Sequence, residues 1–314
     1  MSQTVVADAA LFAAQTASTA LARDWRLSAP YRRAEQLLNG LRDAPAEAVA
    51  DGVTGLLLDP DWMGDLVAPL VDALARNPWI DPPFRFSRDA LRTGAVLIDH
   101  PAARITAAVL SASTLRAQPR PRTIVVPGRL SVVAYHRGGA ATLSLWHAGR
   151  EHADFSAATA TPAQPAGAVR LTDGLVRRID GRTHGQLIEG AQSDVVTLTA
   201  TIRSDSATLM REYALDDGRL VRVAALDDQA SRTQMLAAYL RTAGRTDAAD
   251  VFDLASRDPA PFVRWAVMRE WLALDAGSAL PRLRALLDDP NSEVRAAAAR
   301  MMPLVAEAMT PCPA

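Results

Sequence analysis

All five histidines of the chain, His100, His136, His147, His152 and His184, fall between residues 93 and 225. Imidazole is the side chain best suited to hold a divalent metal or to move a proton near neutral pH. His152-Ala153-Asp154 has the spacing that sets two ligands on one side of a strand, with His147 and Glu151 just before it and His184 on a later strand. Two histidines and one carboxylate are the donor set that holds Fe(II) and leaves positions open for oxygen and substrate. The candidate ligands for Fe(II) or another divalent metal are therefore His152, Asp154 and His184, with His147 beside them.

Other chemistries are excluded by residue type. The chain carries 34 basic residues and none is lysine, which removes Schiff-base, pyridoxal and phosphate-loop mechanisms that need an amine. The one cysteine, Cys312, lies in a Pro-rich tail and supports no disulfide framework, thiolate zinc site or iron–sulfur cluster. No Gly-x-Ser-x-Gly elbow, Gly-x-Gly-x-x-Gly fingerprint or His-Glu-x-x-His helix is present. A net charge of −1 disfavours nucleic acid as a partner. The first basic residue is Arg23, which argues against a secretory leader, and no apolar run is long enough to cross a bilayer. The expected location is the cytoplasm.

The elements that must position these residues change character along the chain. Apolar spacing predicts helices over 4–24, 31–41, 46–58 and 61–75, with Pro69 expected to kink or split the last. The prolines around Trp79 mark a boundary. Short β-branched runs follow at 96–98, 105–110, 123–126, 130–136, 141–146, 169–171, 175–179, 186–188, 195–203, 209–215 and 219–223. Arg137-Gly138-Gly139-Ala140 is expected to close a hairpin between 130–136 and 141–146, leaving His136 at the turn and His147 at the open end, roughly 15–20 Å apart. In Val195 to Arg203, Val196, Leu198, Ala200 and Ile202 alternate with threonines, so one side is expected to be buried. Residues 156–167 read as an exposed loop. About ten short strands with frequent turns suggest a sandwich or jelly-roll barrel.

From Ser231 onward the spacing is helical again, and one pattern recurs 31 residues later. Asp258-Pro259, Val263-Arg264, Ala266 and Arg269 return as Asp289-Pro290, Val294-Arg295, Ala297 and Arg300. This resembles the HEAT repeat, whose second helix opens with Asp-Pro and carries Val-Arg and Ala in that order, over roughly residues 231–308. The resemblance implies a protein- or peptide-binding surface, with Arg264, Trp265, Arg269, Arg295 and Arg300 as its candidate residues.

The strand pattern together with His152, Asp154 and His184 resembles the cupin superfamily, although the chain has no His-x-His pair. That resemblance implies a double-stranded β-helix over about residues 93–225. The expected fold class is α+β: an N-terminal helical region (1–83), a cupin-like β-sandwich or jelly-roll barrel (84–226), a HEAT-like helical repeat (227–310) and a tail (311–314). Two functions remain open. One is a non-catalytic binding or accessory protein that recruits a protein or peptide through the repeat; the other is a metal-dependent cupin-type oxygenase acting on a peptide or small molecule.

Overall fold

The computed structural model describes residues 2–152, 155, 159–226 and 228–308. It begins with four helices, α1 (Ser2–Leu27), α2 (Ala29–Gly40), α3 (Ala46–Leu57) and α4 (Pro60–Arg76). The start of α4 is set by Asp59, whose carboxylate accepts from the main-chain N–H groups of Asp61 and Trp62, satisfying donors that the first helical turn leaves open. Pro69 lies inside α4 without dividing it, so of the two expected outcomes, a kink or a split, the split does not occur: neighbouring packing, with Leu66 and Leu70 both buried, outweighs the one lost hydrogen bond.

Among the described residues twelve strands follow: β1 (Arg85–Arg88), β2 (Arg92–Asp99), β3 (Ala103–Leu110), β4 (Thr123–Val126), β5 (Leu130–Arg137), β6 (Thr142–His147), β7 (Gln164–Arg170), β8 (Leu175–Asp180), β9 (His184–Glu189), β10 (Val195–Ile202), β11 (Leu209–Ala214) and β12 (Leu220–Ala225). The short helix α5 (Ala112–Ala117) sits between β3 and β4. Three sheets form, in the orders β1-β2-β3-β10-β5-β8, β7-β6-β9 and β12-β11-β4. From β5 to β10 the chain crosses between the first two sheets four times, with β6 and β7 staying together in the second. β7 begins inside the segment expected to be a loop.

The expected hairpin is absent, because β5 and β6 belong to different sheets. The two glycines serve a close crossing instead. A Cβ on Gly138 would sit 2.7 Å from the Leu171 carbonyl carbon, and one on Gly139 only 2.3 Å from the Ser193 oxygen. Gly139 also has φ +60°, a conformation that favours glycine.

Two compact units divide the chain. The first comprises residues 1–124, 129–147 and 165–206, so the N-terminal helices and most strands form one body rather than parting near residue 83. The reason lies in β10. Leu198, Ala200 and Ile202 pack with Val49 and Val53 of α3 and with Leu130, Val132 and Ala134 of β5 in a single core. The opposite face is covered too: Val195 is fully buried and Thr197 is 5% exposed, which corrects the expectation of one buried side. His100 fastens this body internally, its Nε2 3.1 Å from Asn39 Oδ1 and its Nδ1 accepting from the Ala102 N–H.

The second unit comprises residues 125–128, 148–164 and 207–314. In it β11 pairs antiparallel with β12, followed by α6 (Asp228–Thr242), α7 (Ala249–Ala255), α8 (Pro261–Leu274), α9 (Ala276–Ala285) and α10 (Ser292–Ala308). The 31-residue repetition has a local counterpart. Arg264 Nη1 donates to the carbonyls of Asp258 and Pro259, and Arg295 Nη1 donates likewise to those of Asp289 and Pro290. Val263 and Val294 are both buried, while Arg269 and Arg300 are both exposed. The helices themselves begin two residues after each proline, at Pro261 and Ser292. Among the described residues no helix is long and apolar enough to cross a membrane.

Candidate functional site

Register fixes which side chains of the first unit share a face. On β10 and β5, Thr197 stands opposite Tyr135 and Thr199 opposite Val133. Directly opposed residues point the same way, so these four lie on the face turned away from the N-terminal helices. On β6 and β9, Leu143 opposes Ile188, Leu145 opposes Gln186 and His147 opposes His184. Val133, Tyr135 and Leu143 join one core, with Leu145 and Ile188 packed against it. The two sheets thus meet across a mainly apolar interior that carries a few polar groups.

Between them is a cavity of about 450 Å³, within the size range of small-molecule sites. Tyr135, Thr197, Thr199 and Gln186 supply polar groups among aliphatic walls such as Val133 and Ile188. Tyr135 is 1% exposed, and its side chain makes no hydrogen bond with any described residue. Burial pushes its pKa up to about 12, so the hydroxyl keeps its proton as a donor across the physiological range. Arg120 and Glu189 also line the cavity and pair with each other at 2.8 Å, while Ser144 Oγ donates to the same carboxylate.

The histidines are only partly brought together. The His147 and His184 rings pack edge to face with centroids 5.0 Å apart. His184 Nδ1 lies 2.9 Å from Thr183 Oγ1, and that hydroxyl donates to the Asp180 carbonyl at 3.4 Å. Thr183 is thus an outer partner that orients the His184 ring. Along β9 the pair stands one same-face step, about 7 Å at strand rise, beyond Gln186 of the cavity wall.

His152 belongs to the second unit and packs its ring against Phe155. Glu151 accepts from the Thr208 hydroxyl and the Leu209 N–H, and Asp154 lies outside the described residues. His136 is exposed on β5, and His100 is engaged by Asn39 and Ala102. Among the described residues no group of three or more His, Cys, Asp or Glu is placed to hold a metal. Two imidazoles fall short of a facial triad, so the described residues do not fit a resident Fe(II) centre.

The expected interaction residues separate as well. Arg264 is 8% exposed and bound to Asp289, so it is spent inside the fold and not displayed on a surface. Arg295 is held by the Asp289 and Pro290 carbonyls, and Trp271 is buried with Nε1 donating to Ser278. Trp265 and Arg269 line a groove of about 360 Å³ in the second unit with Phe262, Val221 and Val223.

Sequence reasoning passed over Tyr135, Thr197 and Thr199. The alternation of threonines along β10 was the available signal, since a threonine face reads as solvent only until a second sheet covers it.

No family model matches the chain, and no curated protein matches it at a significant level. Solved structures show remote likeness. Ectoine synthase from P. lautus is 10% identical with a TM-score of 0.23, over 38% of this chain and 70% of that one. A sugar phosphate isomerase from a cupin superfamily, from Silicibacter pomeroyi, is 12% identical with a TM-score of 0.23, over 42% and 76%. Hydroxypropylphosphonic acid epoxidase from S. wedmorenis is 11% identical with a TM-score of 0.26, over 59% and 97%.

Proposed function

We propose that this protein binds a small organic molecule inside a cupin-type β body. The observation that carries the reading is Tyr135: a side chain 1% exposed, lining an interior cavity, with no hydrogen-bonding partner among the described residues. Its hydroxyl, kept protonated by burial of the ring, is available on the cavity wall to donate to a ligand oxygen. The test is a thermal-shift screen of small organic compounds on the full chain and on Thr199→Trp, which fills the cavity. Hits that stabilise wild type and lose their effect in Thr199→Trp support the chamber; hits that persist unchanged sink it.

A metal-dependent oxygenase is the second reading, favoured by the His147–His184 pair at 5.0 Å. It requires a third ligand beyond these two imidazoles, and Fe(II) would supply the oxygen chemistry. Metal analysis after reconstitution decides it. Retention of less than about a tenth of an equivalent of iron, manganese, nickel or zinc ends this reading, since a closed three-ligand site binds far more firmly.

The helical unit is proposed to recruit an extended peptide through the groove bearing Trp265 and Arg269, in keeping with the HEAT-like pattern of its sequence. β12 is outermost in its sheet among the described residues, and Val221 and Val223 are 53% and 40% exposed. Such an edge accepts an added strand, and Arg269 selects a carboxylate on it. Labelled peptides alternating valine with glutamate should bind wild type and lose affinity in Trp265→Ala and Arg269→Glu. Equal binding to valine–lysine peptides would refute the assignment.

A further inference from the structure

The inner face of the β body carries a cation with no counter-ion among the described residues. Arg177 on β8 stands opposite Val133 on β5, and Leu175 stands opposite Tyr135. Arg177 therefore shares the face of Val133 and Tyr135, and it is the diagonal neighbour of Tyr135, a separation of about 7–8 Å that long side chains span. The charge of its guanidinium reaches the Tyr135 hydroxyl. Its Nε is buried and has no hydrogen-bond partner, and the guanidinium makes no ion pair with any described residue.

Neighbouring arginines behave differently. Arg178, one residue on and facing the other way, pairs with Glu47 and Asp51 of α3. Arg182 pairs with Asp180 and Glu47, and Arg120 with Glu189. A guanidinium drawn partly out of water with no carboxylate beside it is costly. Next to it on that face stands the Tyr135 hydroxyl, which like the guanidinium is able to donate. No carboxylate among the described residues answers these donors on that face.

Resting on the reading of the cavity as a ligand chamber, we infer that its ligand is an organic carboxylate: the anionic group meets the Tyr135 hydroxyl at the wall and is held by Arg177, which reaches in from the adjoining strand just outside the lining, and an apolar body lies along the aliphatic walls. A planar carboxylate matches the guanidinium fork. Val133, Ile188 and Leu110 supply the apolar surface for the body.

The experiment is calorimetry on the full chain with three probes of one shape: 4-phenylbutanoate, 4-phenylbutanamide and 4-phenylbutan-1-ol. The acid should bind at least about tenfold more tightly than the other two, a typical margin for a charge-assisted contact over a neutral one. The margin should shrink as salt is raised to about 0.5 M. Arg177→Gln should bring the acid down to the level of the amide and leave the amide unchanged, Arg177→Lys should keep most of the preference, and Tyr135→Phe should weaken the acid by about threefold to tenfold. If Arg177→Gln fails to fold by circular dichroism, Arg177→Lys and the salt series on wild type decide. A salt-independent margin then overturns the inference. Equal binding of acid and amide to wild type, or a preference abolished by Arg92→Gln and not by Arg177→Gln, overturns the carboxylate assignment and leaves the chamber standing. Failure of all three probes to bind wild type at millimolar concentration overturns the chamber itself.

Discussion

The Arg264 guanidinium grips the Asp289 carboxylate at both ends, Nη2 to Oδ1 at 2.6 Å and Nε to Oδ2 at 2.9 Å. The side chains are only 9% and 3% exposed. Arg264 also ties down the Asp258-Pro259 carbonyls, so one residue joins the first copy of the repeated pattern to the second. Arg264→Ala leaves a buried carboxylate uncompensated and should destabilise the C-terminal unit by about 3–5 kcal/mol. Arg264→Met with Asp289→Asn should cost less, because it removes the stranded charge. Urea unfolding of the three proteins checks the order, and equal losses would contradict it.

Acid should loosen the first unit through His100. Burial lowers its pKa, with Arg42 adding repulsion and Glu35 opposing. A histidine depressed in the folded state is kept neutral there while the unfolded chain takes up a proton below about 6.5. The associated stability is complete above that value and is lost as pH falls through the folded pKa. The urea midpoint should decline between pH 6.5 and 5, and His100→Gln should decline less steeply. Parallel slopes for the two proteins would exclude His100 as the cause.

The Gly138-Gly139 crossing shows why strand positions were more legible than strand partners. Alternation and turn residues located β5 and β6, but glycine pairs serve hairpin turns and tight backbone crossings alike. Only contacts with Leu171 and Ser193, far along the chain, separate the two. Gly139→Ala should cost about 2 kcal/mol or more, from both the left-handed φ and the 2.3 Å approach to Ser193 O. Gly190→Ala, also at positive φ but with nothing near its Cβ position, isolates the conformational part. Thermal unfolding should rank Gly139→Ala below Gly190→Ala.

Legibility of the candidate site followed the same division. Of the histidines, His147 and His184 come together, because both are the inner-face ends of paired strands. Their contact depended on β6 pairing with β9, which no local signal encodes. Tyr135 and Arg177 were hidden for a different reason. An isolated tyrosine or arginine in a strand looks like any other, and only its unmet hydrogen-bonding capacity distinguishes it.

Alkaline pH tests Tyr135 with unusual clarity because the chain has no lysine to titrate in the same range. Its pKa is pushed up by burial to about 12, with Arg177 pulling the other way, against about 10 in the unfolded chain. A raised pKa means that the folded protein holds its proton after the unfolded chain has released one. The stability is therefore complete below pH 10 and is lost as pH climbs towards 12, by about 2–3 kcal/mol in all. Tyr31 and Tyr213 are raised in the same direction by burial, so the decline is shared. Tyr135→Phe should flatten the dependence of the urea midpoint between pH 10 and 11.5 and leave the region below pH 9 unchanged. If the slope of the variant matches wild type, the hydroxyl is not held in its neutral form, and the cavity wall it forms is open to water.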